Sequence, residues 1–350
     1  MPGLPPPFGP MRRCLHAGTL MAMSLVLSAA APSKPAARAE ASRCRFEVSP
    51  RTDSTIFESL QVLDPTHLLA TDRKCLYASE NGGKAFQQVR CAPFAPEADA
   101  VLSRFYFLDR AVGWALTGDA RLWHTRDGGV RWEALSFPSH LVYDVRFADA
   151  QTGFWVGEGW ELGKESHPAV FMTRDGGGHW SPVTLPSDGG SPTRFEGVWM
   201  KSASEVWVVG DRMLTSTNAG QTWRKMNINA RLAGELRNTS IQFGGGGVGW
   251  ISRYPVENYL LTCDGGKSWA TRPLRRGMGA FLHTDCGHAY ALQGGKILGS
   301  QDGGRTFQVL LEGGGEGMGY GYSALAYLEE KRLLVAVSER TVATCQLDAP

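Results

Sequence analysis

Acidic residues recur in this chain within one short glycine-rich segment that ends in an aromatic residue. The copies read "SENGGKAF" (79–86), "TRDGGVRW" (125–132), "TRDGGGHW" (173–180), "STNAGQTW" (216–223), "TCDGGKSW" (262–269) and "SQDGGRTF" (300–307). Four of the six carry an aspartate, and carboxylates can serve as the acid and the nucleophile of glycoside hydrolysis. The segment therefore allows two interpretations, a catalytic carboxylate or a structural turn.

The residue types of the segment favour the structural turn. The Asp or Asn side chain can accept hydrogen bonds from backbone N–H groups two or three residues further on, and the Ser or Thr hydroxyl can add another local bond. The later glycine permits positive φ, and the terminal aromatic can pack against the sheet. We assign this structural role, and no catalytic one, to Asn81, Phe86, Asp127, Trp132, Asp175, Trp180, Asn218, Trp223, Asp264, Trp269, Asp302 and Phe307.

The spacing of the copies indicates the fold. The terminal aromatics follow one another at intervals of 46, 48, 43, 46 and 38 residues, with β-type sequence such as "VGWALT" (112–117) between them. A period of this size is typical of a β-propeller with one four-stranded blade per repeat. The turn is the Asp-box, also called the bacterial neuraminidase repeat, and it joins the third and fourth strands of a blade.

The ends of the chain supply one more blade than the six turns. Residues 321–347 have room for three strands without an Asp-box, and "RCRFEVSP" (43–50) reads as a strand without a blade of its own. Combining them leaves no sheet edge between the first and last blades. We predict an all-β, seven-bladed β-propeller over residues 42–350, in which the N-terminal strand closes the last blade.

The first 41 residues resemble an export signal. Arg12 and Arg13 precede a mostly apolar run, and Ala39-Glu40-Ala41 fits an A-x-A cleavage site. We predict cleavage near 41/42 and a periplasmic or secreted protein; a retained membrane anchor, the choice between the general and twin-arginine routes, and a start at Met1 or Met11 stay open.

Cysteine number and position suggest disulfides. Cleavage would leave six of the seven cysteines in an oxidising compartment. Blade closure brings Cys44 beside Cys345, the first Asp-box hairpin brings Cys75 beside Cys91, and Cys263 and Cys286 remain in adjacent blades. We predict these three bridges; the alternative is six buried free thiols.

Charge and motifs exclude several classes of function. Residues 1–41 hold four of the 36 basic and one of the 34 acidic residues, so the remainder carries a net charge of about −1. A near-neutral protein has no global field that would attract nucleic acid. His283, Cys286 and His288 are close in sequence, but strand alternation points His283 away from the other two. We predict no metal and no cofactor.

Loops at the end of the propeller opposite the Asp-boxes could bind a partner. An insertion at 158–171 and the neighbouring loops carry arginines and aromatics, and planar guanidinium groups suit carboxylates. The candidates for partner binding are Trp160, Arg194, Arg253, Tyr254, Arg272, Arg275 and Arg276. Either they bind an acidic or extended peptide segment, or they are solvated loop charges.

The segment "FLDRAVGWALTGDARLWHTRDGGVRW" (107–132) resembles the photosystem II stability and assembly factor family, and the likeness extends over roughly residues 55–310. The resemblance implies an exported, non-catalytic propeller that holds a segment of a membrane or envelope protein, partly through surface arginines. We also predict a monomer. The alternative is a sialidase-like or other glycoside hydrolase, since Asp-box propellers also occur among those enzymes.

Overall fold

A computed structural model describes residues 44–91, 101–119, 121–136, 139–159, 167–186, 194–226, 240–252, 258–313 and 321–348. Within these ranges 28 β-strands form seven antiparallel sheets of four strands each. The predicted all-β, seven-bladed propeller is confirmed. The expected export signal lies outside the described residues.

In every blade except the last, four consecutive strands follow one another from the channel outwards. Strand β1 is Glu47–Pro50, and the first blade contains β2 (Ser59–Val62), β3 (Leu68–Thr71), β4 (Cys75–Ser79) and β5 (Gln87–Cys91). The second contains β6 (Leu102–Phe107), β7 (Gly113–Thr117), β8 (Leu122–Thr125) and β9 (Glu133–Leu135). The third contains β10 (Ser139–Phe147), β11 (Gly153–Gly159), β12 (His167–Thr173) and β13 (Ser181–Pro182).

The remaining blades repeat this order. The fourth contains β14 (Phe195–Met200), β15 (Val206–Gly210), β16 (Met213–Ser216) and β17 (Arg224–Met226), and the fifth β18 (Ser240–Phe243), β19 (Gly249–Ser252), β20 (Asn258–Thr262) and β21 (Ala270–Pro273). The sixth contains β22 (Met278–His283), β23 (Ala289–Gln293), β24 (Lys296–Ser300) and β25 (Gln308–Leu311), and the seventh β26 (Tyr322–Leu328), β27 (Leu333–Ser338) and β28 (Thr341–Gln346) with β1 outermost.

The core lies between neighbouring blades. All five residues of β7 and all five of β15 are buried, since these strands have a blade on either side. This explains their continuous apolar sequence, which is typical of strands buried on both faces. Trp114 of β7 stacks on Phe147 of the next blade, with ring centroids 3.8 Å apart.

The seventh blade is closed by residues from both ends of the chain. Strand β1 pairs antiparallel with β28, with Glu47 opposite Thr344 and Pro50 opposite Thr341. A disulfide joins Cys44 to Cys345 beside this ladder, with Cα atoms 5.6 Å apart. The predicted closure by an N-terminal strand is therefore present.

The other two predicted disulfides are also present. Cys75 and Cys91 are directly opposite each other on β4 and β5 and form a bridge. Cys263 of the fifth blade is bridged to Cys286 of the sixth, with Cα atoms 5.7 Å apart. The first bridge closes a hairpin, whereas the second joins two blades.

The Asp-box turns hold their own backbone. Asp175 accepts hydrogen bonds from the backbone N–H of His179 at 2.9 Å and from the hydroxyl of Thr173 at 2.8 Å. At Asp175 the donating backbone N–H is four residues further on, because Gly176 and Gly177 both adopt positive φ and turn the chain back. Asp302 accepts a hydrogen bond at 2.9 Å from Arg305 N–H, three residues further on as predicted, as well as from Thr306 N–H. The backbone and side-chain bonds from His179, with that from Thr173, lower the pKa of Asp175 to about 2.

Each Asp-box also contacts the preceding blade. A Cβ atom on Gly177 would lie 2.6 Å from Cδ1 of Leu135 in the second blade, and one on Gly129 would lie 2.6 Å from Cδ2 of Leu76 in the first. The later glycine of the turn is thus required for positive φ and for this close approach.

The two ends of the propeller carry different loops. Asp-box turns lie beside the turns between first and second strands, and Gly176 N–H donates to the Gln151 carbonyl at 2.8 Å. We call this end the turn face. The opposite end, the mouth face, carries the turns between second and third strands and the connections between blades. The part of the chain that the structure describes contains no helix long and apolar enough to cross a bilayer.

Candidate functional site

Three of the seven predicted partner-binding residues, Trp160, Arg253 and Tyr254, lie outside the described residues. The structure places the other four at separate points. Arg275 and Arg276 are exposed on the connection between the fifth and sixth blades, at the mouth face. Their carbonyls accept hydrogen bonds from Met278 N–H at 3.1 Å and from the Gln293 side-chain amide at 2.8 Å, so the backbone there is fixed while both guanidinium groups face solvent.

Arg194 also lies at the mouth face, at the start of β14. Its backbone N–H donates to the Asp211 carboxylate at 2.9 Å. The Arg194 guanidinium is centred 4.4 Å from the Tyr143 ring, and its Nε lies 2.8 Å from Oε1 of the buried Glu196. Ring stacking combined with a buried carboxylate partner fixes this guanidinium more firmly than those of Arg275 and Arg276.

Arg272 is not at the mouth, contrary to the sequence prediction. It lies on β21, the outer strand of the fifth blade, and its Nε donates to the carbonyl of Gly303 at 3.0 Å. Gly303 belongs to the Asp-box of the sixth blade. Outer strands run away from their own Asp-box, so a residue three positions past Trp269 is still near the turn face. Arg272 therefore joins two blades and is not grouped with Arg194.

A cavity of about 510 Å³ opens in the central channel, and sequence reasoning missed it. Residues from four blades line this channel cavity: Glu58, Ser59, Thr71, Arg73, Val101, Leu102, Ser103, Arg104, Phe105, Arg146 and Gln242. Its volume is in the range of small-ligand pockets. Within the described ranges, three arginines and one glutamate supply the charge of its wall.

Irregularities in the inner strands position the charged residues around the channel. Against their second strands, β6 has an extra residue at Ser103, β10 at Tyr143 and β14 at Glu196. A bulge of this kind redirects the side chains that follow it, and bulges are frequent beside functional sites. Arg104 and Asp144 each come directly after such a bulge.

Arg73 reaches the cavity from the mouth face. It is one of three non-glycine residues among those described with positive φ, at 79°. Its carbonyl accepts a hydrogen bond from Leu102 N–H of the next blade at 2.6 Å, which holds the unusual backbone in place. The guanidinium makes an ion pair with Glu58 at the rim.

Asp144 lies behind the cavity wall and is 1% exposed. Its carboxylate accepts hydrogen bonds from the backbone N–H groups of Val145 at 3.0 Å and Val198 at 3.2 Å, the second from the next blade. Arg104 Nε lies 3.7 Å and Arg146 Nη1 lies 3.9 Å from its Oδ1. Both distances exceed that of a hydrogen bond, so the attraction is electrostatic.

A tyrosine–glutamate pair occurs in the third blade, as a sialidase would require. Tyr143 donates its hydroxyl hydrogen to Oε1 of Glu158 at 2.6 Å. Burial, followed by the hydrogen bond to Glu158, raises the pKa of Tyr143 above its ordinary value, which disfavours a phenolate nucleophile. Neither residue is among those that line the channel cavity with Arg73, Arg104 and Arg146.

The histidines near Cys286 have structural partners. His283 Nε2 lies 2.8 Å from the Tyr259 hydroxyl, and burial lowers the pKa of His283 to about 4. His288 Nδ1 lies 2.9 Å from the Asp285 carboxylate, while Cys286 is in a disulfide. Among the described residues no group of three or more His, Cys, Asp or Glu side chains is arranged to hold a metal ion.

Residues 134–245 match the family described as photosynthesis system II assembly factor YCF48. The predicted resemblance to the photosystem II assembly factor family is thereby confirmed. Comparison with curated protein sequences gives no match.

Several solved structures share the fold. One is YCF48 bound to D1 peptide, with 16% identity and a TM-score of 0.57, covering 87% of this chain and 97% of that one. YCF48 from Cyanidioschyzon merolae has 15% identity and a TM-score of 0.57, covering 85% and 98%. The GH74 xyloglucanase from Xanthomonas campestris has 13% identity and a TM-score of 0.55, covering 87% of this chain and 55% of the enzyme.

Proposed function

We propose that this chain is a non-catalytic, protein-binding propeller that assists the assembly or stability of a membrane or envelope protein, in the manner of the photosystem II assembly factors. We further propose that it is exported to the periplasm or secreted and acts as a monomer. The observation that carries the proposal is the family match over residues 134–245, supported by a fold that covers 97% of a solved YCF48 bound to D1 peptide.

The mouth face supports a role in binding. Arg275 and Arg276 are exposed on a connection whose backbone is fixed by hydrogen bonds, and Arg194 is held by Tyr143 and Glu196. Guanidinium groups in fixed positions suit acidic or carboxylate-bearing protein segments. A partner would approach this face, since the turn face is occupied by the Asp-boxes.

A glycosidase is the less favoured alternative. The raised pKa of Tyr143 and its position outside the cavity wall argue against a sialidase mechanism. An inverting or retaining glycosidase would need two opposed carboxylates across one cleft. Glu58 lines the channel cavity and is paired with Arg73, whereas Asp144 is buried behind Arg104. These two carboxylates therefore do not form such a pair.

Site-specific crosslinking tests the client and the face together. A photo-crosslinking residue at Arg276, on the mouth face, is compared in cells with the same residue at Arg174, an exposed position on an Asp-box turn. We expect position 276 to capture the same membrane or envelope protein repeatedly, and position 174 to capture none. Equal capture from both faces would contradict the proposal, and turnover of aryl-glycosides by the purified protein would overturn it.

Export is tested separately by mass spectrometry of the protein from cell fractions. We expect a periplasmic or extracellular product that begins near Ser42. An intact N-terminus in a cytoplasmic fraction would contradict this part of the proposal. The crosslinking result would still decide whether the protein binds a partner.

A further inference from the structure

The channel cavity contains more guanidinium donors than the described residues satisfy. Arg146 is 18% exposed, and its Nε is buried without a hydrogen-bond partner among the described residues. Its Nη1 makes a weak contact of 3.5 Å with the Val145 carbonyl. The Arg104 guanidinium forms no hydrogen bond with the described part of the chain, although it lines the same cavity.

The nearby carboxylate does not use these donors. Asp144 accepts backbone N–H groups from Val145 and Val198, and both arginines stay at 3.7 Å or more from it. Asp144 therefore joins the third blade to the fourth, and its charge attracts Arg104 and Arg146 to one place. Apart from Nη1 of Arg146, the terminal guanidinium nitrogens of both arginines have no hydrogen-bond partner among the described residues, and both arginines line the cavity.

The charges of the wall do not cancel. Arg73, Arg104 and Arg146 stand against Glu58 on the rim and Asp144 behind the wall, which leaves one positive charge among the described residues. A single carboxylate would neutralise it, whereas a phosphate monoester, with a charge of about −1.5 to −2, would overcompensate. The planar fork of a guanidinium also matches a carboxylate with two parallel hydrogen bonds.

We propose that the channel cavity is a binding site for a carboxylate group, held by Arg104 and Arg146. Arg73 adds to the positive potential at the rim, and Gln242 of the fifth blade offers an amide in the same cavity. The group is carried either by a small organic acid or by the C-terminus of a polypeptide. This site is distinct from the exposed Arg275 and Arg276 and does not depend on the assembly role proposed above.

Calorimetric titration of the full protein with three probes tests the site. The probes are butanoate, a short uncharged acetylated peptide with a free C-terminal carboxylate, and the same peptide with a C-terminal amide. We expect the two carboxylates to bind at one site per chain and the amide not to bind. Tighter binding of the free-acid peptide than of butanoate identifies a chain end as the source, and equal binding identifies a small acid.

Variants locate the site. Arg104→Met and Arg146→Met should each weaken carboxylate binding by about 10-fold to 100-fold, the loss expected for one charge-assisted contact. Arg104→Lys keeps the charge without the fork and should bind more weakly than the native protein, while Arg174→Met, at an exposed position on an Asp-box turn, is the matched control and should bind normally. Arg104 is 39% exposed, so Arg104→Met should fold even if Arg146→Met does not. Thermal melting checks that each variant is folded.

Four results would overturn the inference, three of which concern the pattern of binding. These are binding of the amide peptide as tightly as the acid, binding of inorganic sulfate in preference to both carboxylates, and undiminished carboxylate binding by a folded Arg104→Met variant. Absence of binding by any carboxylate at millimolar concentration would overturn it as well.

Discussion

Removal of the disulfide that closes the ring should destabilise the protein more than removal of a disulfide within a blade. The change is the double substitution of Cys44→Ala with Cys345→Ala, compared with Cys75→Ala with Cys91→Ala. Both variants lose the same two sulfur atoms and leave the same two methyl groups. They differ in the length of chain that the bridge encloses, which is 301 residues in the first case and 16 in the second.

The difference in stability follows from that length. In the chain-entropy treatment, a bridge lowers the entropy of the unfolded chain in proportion to the logarithm of the enclosed length. For 301 against 16 residues this amounts to about 2.6 kcal/mol in favour of the Cys44–Cys345 bridge. Replacing the pair at 263 and 286, which encloses 23 residues, should cost only about 0.3 kcal/mol more than replacing the hairpin pair.

Equilibrium unfolding in urea, under oxidising conditions, measures these differences. We expect the variant without the Cys44–Cys345 bridge to unfold at the lowest urea concentration of the three. The native protein, unfolded separately in the presence of a reductant, serves as a further control, since it then lacks all bridges and keeps every side chain. Equal losses in the three variants, or a larger loss at Cys75 and Cys91, would refute the reasoning that this bridge acts by closing the ring.

Three further predictions concern the turns and the mouth. Asp175→Ala should lower the free energy of unfolding by about 1–2 kcal/mol without affecting partner binding, because its hydrogen bonds with His179 and Thr173 are lost; normal melting with lost binding would place the function on the turn face. Because the pKa of Asp175 in the folded protein is lowered from 3.8 to about 2, its carboxylate stabilises the folded state fully above the unfolded pKa of 3.8. This stabilisation is lost as the pH falls towards 2. Melting curves of Asp175→Asn should therefore depend less on pH in this range than those of the native protein, and an unchanged dependence would contradict this assignment. Gly210→Ala should destabilise by about 2 kcal/mol or more because the added Cβ would overlap the carbonyl of Arg194, while Gly118→Ala, one residue past the corresponding position of the second blade and with its nearest atom at 3.7 Å, should be tolerated; equal melting temperatures would contradict it.

The fold could be predicted from the sequence because its main features are local and repeated. Each Asp-box contains its own hydrogen-bond partners, so six copies at a regular spacing indicate six blades before any long-range contact is known. The two bridges at Cys75–Cys91 and Cys44–Cys345 followed because hairpin symmetry and ring closure fix which strands are neighbours.

The channel cavity could not be predicted in the same way. Arg104 and Arg146 lie in inner strands whose sequences, "LSRFYF" and "SHLVYDVRF", read as ordinary half-buried strands. Their approach to Asp144 depends on bulges at Ser103 and Tyr143, and these leave no sequence signal of their own. The one available hint was Asp144 with Arg146 inside an otherwise apolar strand, since unpaired charges are rarely buried. Arg272 was misplaced because sequence alone did not show which end of the outer strand it occupies.

The contact of each Asp-box with the blade before it has a consequence for how the ring opens. Gly83 of the first blade packs on Val342 of the seventh, and the turns of the second to sixth blades pack on the first to fifth, so six of the seven boundaries are joined in this way. Residues 321–348 contain no Asp-box, so the boundary between the sixth and seventh blades relies on side chains such as Leu292 and Tyr322 and on the hydrogen bond from Tyr322 N–H to the Gly295 carbonyl at 2.8 Å. Amide hydrogens along that boundary should exchange with solvent first. The ring should thus open first between the sixth and seventh blades, while β1 stays paired to β28.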